Sequence, residues 1–108
     1  MDYSLEYFSE SVRNEIEAWP VGLRTRYLAL TLRMEEHGPD LGMPHTRAMG
    51  NGLFEIRVKG KEGIGRAFTC TRVGRRIVIL HGFVKKSEKI PRGDLDLSRK
   101  RMTEVSHE

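Results

Sequence analysis

The sequence predicts an α+β fold with a mainly antiparallel sheet. Two amphipathic helical segments precede three strand-like segments, and a last helical segment follows them. A run of strands set apart from the helices is typical of α+β proteins, because strands and helices alternate in α/β proteins. The predicted order is β-α-α-β-β-β-α, with an N-terminal helical hairpin and a C-terminal helix. With 108 residues the chain has room for one domain, which we expect to span residues 1–108.

The N-terminal part predicts a short strand and the helical hairpin. Residues 3–8 alternate, and Ser9 and Ser11 are candidate caps for a first helix whose apolar side includes Ile16. A second helix begins near Pro20 and stops at residues 37–39. Its apolar stripe has helical spacing and consists of Leu23, Tyr27, Leu30 and Met34, widened by Leu28 and Leu32. Residues 39–52 are rich in Gly and Pro and are predicted to form a structured loop.

The second half predicts three strands and the last helix. Residues 53–58 and 66–72 alternate, and residues 59–65 look like the hairpin loop between them. Residues 77–84 are apolar on both faces, which is typical of a central strand. The final helix begins near Pro91. The side chains that share one face within their strands are Leu53, Glu55 and Arg57 in the first strand and Arg66, Phe68 and Cys70 in the second.

Charge divides the chain into an acidic and a basic part. Nineteen Lys and Arg against fifteen Asp and Glu give a net charge of +4. Residues 1–56 carry a net charge of −4, whereas residues 57–101 carry +10. A local excess of cations is the natural electrostatic basis for binding a polyanion, so we expect a phosphate-binding face on the strands. For any single side chain, simple solvation of the surface remains the alternative.

Several classes of protein are disfavoured. No apolar run approaches the roughly 20 residues of a membrane-spanning helix, and the N-terminus lacks the order of a signal peptide, so we expect a cytoplasmic protein without a membrane partner. The single cysteine, Cys70, excludes an internal disulfide and is predicted to be a small buried strand residue. The histidines lack metal-ligand spacing, and residues 60–65 lack the ending of a nucleotide-binding loop, so no metal or other cofactor is expected.

The cations of the basic part differ in how firmly the fold is expected to hold them. Lys85 and Lys86 directly follow the most apolar strand, and a site needs such a rigid support. Arg57 and Arg66 lie on strands that are expected to be neighbours. Further candidates for phosphate contact lie in the Gly-rich loop, beside a turn or before the last helix, and these are Lys59, Lys61, Arg76 and Lys89.

RNA cleavage without a metal ion suits these residue types. The 2′-OH attacks the adjacent phosphate, so a base must take its proton, cations must stabilise the developing charge, and an acid must protonate the leaving oxygen. Arginine and lysine fill the second role. For the base and the acid the sequence offers His81, Glu55 or a lysine, and it does not choose among them. His81 also fits a core histidine, and Glu55 also fits an exposed pair with Arg57.

Three segments carry a family resemblance. They are residues 52–57 (Gly-Leu-Phe-Glu-Ile-Arg), residues 65–68 (Gly-Arg-Ala-Phe), and residues 80–86 (Leu-His-Gly-Phe-Val-Lys-Lys) followed by Pro91. The chain resembles, over almost its whole length, the phage-derived HigB-like branch of the RelE toxin superfamily. The resemblance implies a RelE-like fold and a toxin that cleaves mRNA, usually on the translating ribosome. It also implies a cognate helix-turn-helix antitoxin of the Xre type.

The resemblance also orders the cations. It implies that Arg57 and Arg66 face the RNA, that Lys86 lies near the position where RelE-type toxins place a charge-stabilising arginine, and that Lys85 is its companion. The expected catalytic residues are therefore Arg57, Arg66, Lys86 and, with its role open, His81. The expected RNA contacts are Lys85, Lys59, Lys61, Arg76 and Lys89.

One position departs from the family pattern. Thr69 stands where the family usually has an aromatic residue, typically Tyr, after Phe68. If that aromatic stacks on a base, its loss costs about 1–3 kcal/mol of binding, whereas loss of an aromatic that packs against a helix requires local repacking. Two other functions stay open: a non-catalytic member of the fold that binds RNA or the antitoxin, and a basic DNA-binding accessory protein.

Overall fold

The computed structural model describes residues 2–86 and 89–106. Its helices are α1 (Glu10–Glu17), α2 (Val21–His37) and α3 (Arg92–Ser106), and its strands are β1 (Ser4–Tyr7), β2 (Thr46–Gly50), β3 (Leu53–Gly60), β4 (Gly63–Arg72) and β5 (Arg76–Lys85). The α+β class, the N-terminal helical hairpin and the C-terminal helix are confirmed. None of these three helices combines the length and the apolar composition that crossing a membrane requires.

The five strands form one sheet in the order β1-β5-β4-β3-β2. β1 pairs parallel with β5, and all other pairs are antiparallel. The hairpin of α1 and α2 covers one face, which we call the hairpin face, and α3 covers part of the other, which we call the α3 face. β5 lies between β1 and β4 and is covered on both faces, which is why its sequence is apolar on both sides.

The structure contains one strand that the sequence did not predict. β2 lies within residues 39–52, which were predicted as a loop, and it pairs with β3 from Thr46 opposite Ile56 to Gly50 opposite Leu53. The residues of the tight β2–β3 turn, including Asn51, adopt positive φ, which favours glycine. Because this Gly-rich turn follows the short strand directly, the sequence pattern of the whole segment is that of a loop. Since β2 pairs with β3 only up to Ile56, residues 57–60 of β3 extend beyond it at the edge of the sheet.

Helix α1 lies directly on the backbone of the sheet. A Cβ atom built at Gly82 comes within 2.6 Å of Ile16 Cγ1, and one built at Gly65 comes within 2.8 Å of Trp19 Cζ3. A larger residue at Gly82 would displace α1, and one at Gly65 would displace Trp19, which follows α1. Gly82 therefore owes its place in the segment 80–86 to helix packing.

Two residues of the predicted apolar stripe do not reach the core. Leu28 and Leu32 are 52% and 57% exposed, whereas Leu23, Tyr27 and Met34 are fully buried. Only one side of α2 lies on the sheet, so the buried stripe is narrower than the apolar pattern suggests. The prediction that Leu28 and Leu32 widen the buried stripe is wrong.

Cys70 is buried on the α3 face, as predicted. Burial away from water raises the pKa of its thiol to about 11, a shift that the nearby Arg72 opposes. The thiol is therefore protonated at neutral pH, and Cys70 serves as a small apolar residue.

Candidate functional site

A β-bulge in β5 turns His81 toward the α3 face. Phe68 pairs with His81 but Thr69 pairs with Ile79, so the register skips Leu80. The extra residue shifts the alternation by one, and Leu80 and His81 therefore both lie on the α3 face. Phe83 and Lys85 follow on the same face. Because residues 77–84 are almost all apolar, the sequence pattern contains no sign of this shift.

The strand register gathers cations at one end of the α3 face. Arg57 lies opposite Arg66, and Lys59 and Lys85 both lie opposite Ile64. Directly opposed residues have Cα atoms about 4.5–5.5 Å apart, so Arg57 and Arg66 are held side by side, whereas Lys59 and Lys85 lie two strands apart, at about 10 Å. Lys59 and Lys85 are exposed, Arg57 is half-buried, and the exposed Lys86 follows Lys85. We call this group the cationic cluster: Arg57, Lys59, Arg66, Lys85 and Lys86.

A buried carboxylate holds Arg66 in place. Arg66 Nη1 donates to Glu55 Oε2 at 2.5 Å, and the two side chains are 1% and 0% exposed. Arg47 of β2 lies 3.5 Å from the other oxygen of the same carboxylate. Glu55 is therefore no exposed partner of Arg57 but the centre of an ion pair inside the sheet. Arg47 was not predicted as a site residue, because its strand was predicted as a loop.

His81 has a partner on the first turn of α3. Its Nε2 atom lies 2.6 Å from Asp94 Oδ1, and its ring lies 5.5 Å from the ring of Phe83, measured between centroids. The contact joins the start of α3 to β5. Asp94 was not predicted as a site residue. A carboxylate in the first turn of a helix is common, because it interacts favourably with the helix dipole.

Comparison with known protein families assigns the chain. A model described as Phage derived protein Gp49-like (DUF891) matches residues 14–103. The chain belongs to the Gp49-like family. The matched span includes α2, strands β2 to β5 and most of α3, so it contains every residue of the cationic cluster as well as His81. The predicted phage-derived branch is thereby confirmed.

Solved structures show that the Gp49-like chain has a RelE-like fold. A mutant of the E. coli toxin RelE in the free state has a TM-score of 0.69 at 11% identity, covering 94% of this chain and 99% of that chain. The archaeal RelE–RelB complex from Pyrococcus horikoshii OT3 has a TM-score of 0.58 at 14% identity, covering 82% of this chain and 100% of that chain. No curated protein matches the sequence. The predicted RelE-like fold is thus confirmed.

Two arginines of α3 in the Gp49-like chain bind its own backbone. Arg99 Nη2 donates to the carbonyl oxygen of Met49 at 2.9 Å, and Arg101 Nη1 donates to that of Leu80 at 2.7 Å. The Arg101 guanidinium also lies over the ring of Phe8, 5.0 Å from its centroid. These contacts attach α3 to the edge strand β2, to β5 and to the residue that follows β1.

The other predicted RNA contacts of the Gp49-like chain lie in different places. β3 extends to Gly60 and β4 starts at Gly63, so Lys59 is on a strand instead of in the predicted loop. Lys61 is exposed in the two-residue turn between these strands, and Lys89 is exposed between β5 and α3. Arg76 begins β5 and lies about 30 Å from Lys85 along the strand, so the structure does not bring it to the cationic cluster.

Thr69 lies on the side of the sheet away from the cationic cluster. It alternates with Phe68 and pairs with Phe54 and Ile79, which places it on the hairpin face, fully buried. An aromatic residue at this position would pack inside the protein and would not reach a base on the α3 face. Of the two alternatives, the structure therefore favours packing. Among the described residues, the Thr69 hydroxyl has no hydrogen-bond partner.

The described parts of the Gp49-like chain, residues 2–86 and 89–106, contain no group of three or more His, Cys, Asp or Glu side chains placed to hold a metal ion. Its ionisable side chains instead form pairs, such as His81 with Asp94. The arrangement on the α3 face is therefore one of fixed cations beside two side-chain pairs, Arg66 with Glu55 and His81 with Asp94.

Proposed function

We propose that this Gp49-like protein is the toxin of a toxin–antitoxin system and cleaves mRNA without a metal ion, in the cytoplasm and on the translating ribosome. The cationic cluster is the observation that supports the proposal. Like charges directly opposed on neighbouring strands destabilise a sheet, and Arg57 opposite Arg66 is such a pair. Glu55 offsets part of this repulsion, and a bound phosphate chain would offset more.

In the proposed mechanism, the exposed and the buried cations have different roles. Lys85 and Lys86 are exposed and bind the RNA backbone, and half-buried Arg57 contacts the phosphate at the cleavage site. Arg66 is held below the surface by Glu55 and contributes a fixed positive field from behind Arg57. Pre-oriented positive charge of this kind stabilises the extra negative charge of a pentacoordinate phosphate without reorganisation during the reaction. His81 is the proposed proton carrier, since it lies on the same face as Lys85.

The proposed partner is a cognate antitoxin, a helix-turn-helix protein of the Xre type. The similar structure from Pyrococcus horikoshii is a RelE–RelB complex, so there a chain of this fold is bound to a protein partner. A neutralising partner is also what a ribonuclease acting on cellular mRNA requires. Co-expression with the product of the adjacent reading frame tests this part of the proposal, because growth arrest should then be relieved.

The nuclease proposal is tested by cleavage of mRNA in a translation extract. We expect the upstream fragment to carry a 2′,3′-cyclic phosphate at its 3′ end and the downstream fragment to begin with a 5′-hydroxyl, since these products are the signature of attack by the 2′-OH. Arg57→Ala should slow cleavage by about 10²-fold or more, because one preorganised charge-stabilising group is removed. Arg13→Ala, which removes an exposed arginine from α1, is the matched control and should leave the rate unchanged. Equal rates for the two variants would contradict the proposed site.

A second function is favoured by the state of the two candidate proton carriers. Glu55 is paired with Arg66 and His81 with Asp94, so both carboxylate and imidazole are engaged inside the fold. A protein that only binds RNA or its antitoxin needs the cations but neither proton carrier. Tight binding of RNA that yields no cyclic-phosphate product at any enzyme concentration would favour this function over the nuclease.

A further inference from the structure

A cleft opens at the sheet edge where β3 extends beyond β2. It lies between α2 and residues 57–60 and has a volume of about 420 Å³, within the range of roughly 300–1,000 Å³ for small-molecule sites. Its walls are mainly apolar. Leu30 of α2 and Val58 of β3 are buried at its base, and Ala29 and Pro44 contribute further apolar surface.

The polar lining of this edge cleft is entirely basic. Arg26, Arg57 and Lys59 line it together with His45, and among the described residues that line it none is Asp or Glu. The hollow between β1 and α1 differs, because Glu6, Glu10 and Glu17 contribute to its lining. An apolar hollow bordered by the cations Arg26, Arg57 and Lys59 matches a ligand with a flat apolar part and negative charges beside it.

Hydrogen bonds to the backbone hold the walls of the edge cleft together. Arg26 Nη1 of α2 donates to the carbonyl oxygen of Lys59, which ties the helix to the part of β3 that extends beyond β2, residues 57–60. The backbone N–H of Arg57 donates to the carbonyl oxygen of His45 at 2.9 Å, which ties the loop before β2 to the same strand. The cleft is therefore preformed, so a ligand need not order it on binding.

We propose that the edge cleft binds one unstacked nucleobase of the RNA. Arg57 belongs both to the cationic cluster and to the lining of the cleft, so a strand whose phosphates run along the cluster passes the mouth of the cleft. The base enters between Ala29 and Val58, and Arg26 and Lys59 bind the flanking phosphates. Single-stranded nucleic acid commonly follows a basic groove, and an extruded base is commonly held in a pocket between aromatic or apolar side chains. The inference rests on the proposed RNA binding and adds the position of one base.

The test measures binding of short 2′-O-methyl oligoribonucleotides, which cannot undergo attack by the 2′-OH. One base at a time is replaced by 2-aminopurine or by an abasic unit. At one position the 2-aminopurine fluorescence should rise, because the base leaves the stack and the described residues that line the cleft include no Phe, Tyr or Trp. An abasic unit at that position should weaken binding about tenfold, and abasic units elsewhere should have less effect. Equal binding of every abasic oligomer would overturn the proposal.

The variant Ala29→Phe fills the cleft from an exposed position of α2. It should weaken binding of the intact oligomer by the same factor, and the abasic unit should then cause no further loss. Leu32→Phe places the same ring at an exposed position of α2 outside the cleft, and it should keep the tenfold difference. If Ala29→Phe leaves RNA binding intact but weakens antitoxin binding, the cleft takes a protein side chain and the proposal is wrong. If the base position is found but unmodified RNA is not cleaved, only the nuclease proposal fails.

Discussion

Glu55 and Arg66 show how a charged pair can lie inside the sheet. Moving a carboxylate and a guanidinium out of water costs several kcal/mol for each ion, and the cost is recovered only with short, well-directed hydrogen bonds. The 2.5 Å hydrogen bond between Arg66 and Glu55 meets this condition, and Arg47 adds a second positive charge 3.5 Å from the carboxylate. Glu55 holds the Arg66 guanidinium in place beside Arg57, although the two arginines repel each other.

Glu55→Gln should therefore destabilise the fold by about 3 kcal/mol or more, because Arg66 stays buried without a counter-ion. The matched control is Glu17→Gln, which breaks the exposed pair of Glu17 with Arg13 and should cost less than about 0.5 kcal/mol. Urea unfolding followed by circular dichroism measures both free energies. Similar small losses in the two variants would show that the buried pair contributes little to stability.

Two buried threonines should respond in opposite directions to the same change. Thr69→Val removes a buried hydroxyl that has no partner among the described residues, so stability should rise by about 1 kcal/mol. The hydroxyl of Thr46 accepts from the backbone N–H groups of Leu41 and Gly42, so Thr46→Val should lower stability by about 1–3 kcal/mol. Denaturant midpoints distinguish the two signs. A loss of stability in Thr69→Val would mean that its hydroxyl finds a partner, such as water.

Among the elements, α1 and the sheet are packed most closely at the glycines. Gly82→Ala forces a methyl group against Ile16, so α1 must shift and stability should fall by about 1–3 kcal/mol. Gly93→Ala is the control within α3. Apart from its chain neighbours and the nearby helix backbone, no atom of the described residues lies within 4 Å of the added Cβ, and alanine favours the helix, so stability should rise by about 0.5–1 kcal/mol. Thermal unfolding checks both, and a neutral Gly82→Ala would show that α1 adjusts freely.

The short β2 and the longer β3 together produce the site at the sheet edge. β2 covers β3 only as far as Ile56, so the cations at 57 and 59 remain at the margin, beside α2. Residues 57–60 of β3, which extend beyond β2, are protected from pairing with another chain, since Arg26 and the loop before β2 bind their backbone. One strand edge therefore serves both the cationic cluster and the cleft.

For the whole molecule, the location of the charged residues is more informative than the net charge. The net charge of +4 conceals an acidic N-terminal half and a basic C-terminal half. Several cations of the basic half bind the protein itself, as Arg99 and Arg101 do on α3. In the proposed function, the cations at the open end of the α3 face are the ones that bind the phosphate chain.

Salt dependence of RNA binding distinguishes local from total charge. Replacing both Lys85 and Lys86 with Ala should lower the slope of log K against log salt by about 1.4, since each lost phosphate contact on a single strand removes about 0.7. Replacing both Arg13 and Arg33 with Ala changes the net charge equally but removes two helix cations away from the cluster. That control should keep the slope. Equal slopes for both pairs would contradict a localised RNA face.

The strands and helices were largely predictable because their apolar side chains recur at regular spacing. Phe68 and Arg66 lie on one face as the alternation requires, and Ser9 caps α1 through a hydrogen bond from the Val12 N–H. The predictions failed where spacing is not informative. β2 is too short and too close to glycines to show a pattern, and Leu28 is apolar although it faces water.

Local patterns therefore determined the element order, apart from β2, and pointed to the basic strand segments and the Gly-rich turns. Only the tertiary structure decided which cations meet, which of them are buried, and what faces them. That decision depends on strand register, on the bulge at Leu80 and on the placement of α3, all of which arise from contacts between residues far apart in the chain. The pairings of Arg66 with Glu55 and of His81 with Asp94 follow from that geometry, because side-chain spacing along one strand carries no information about its neighbour.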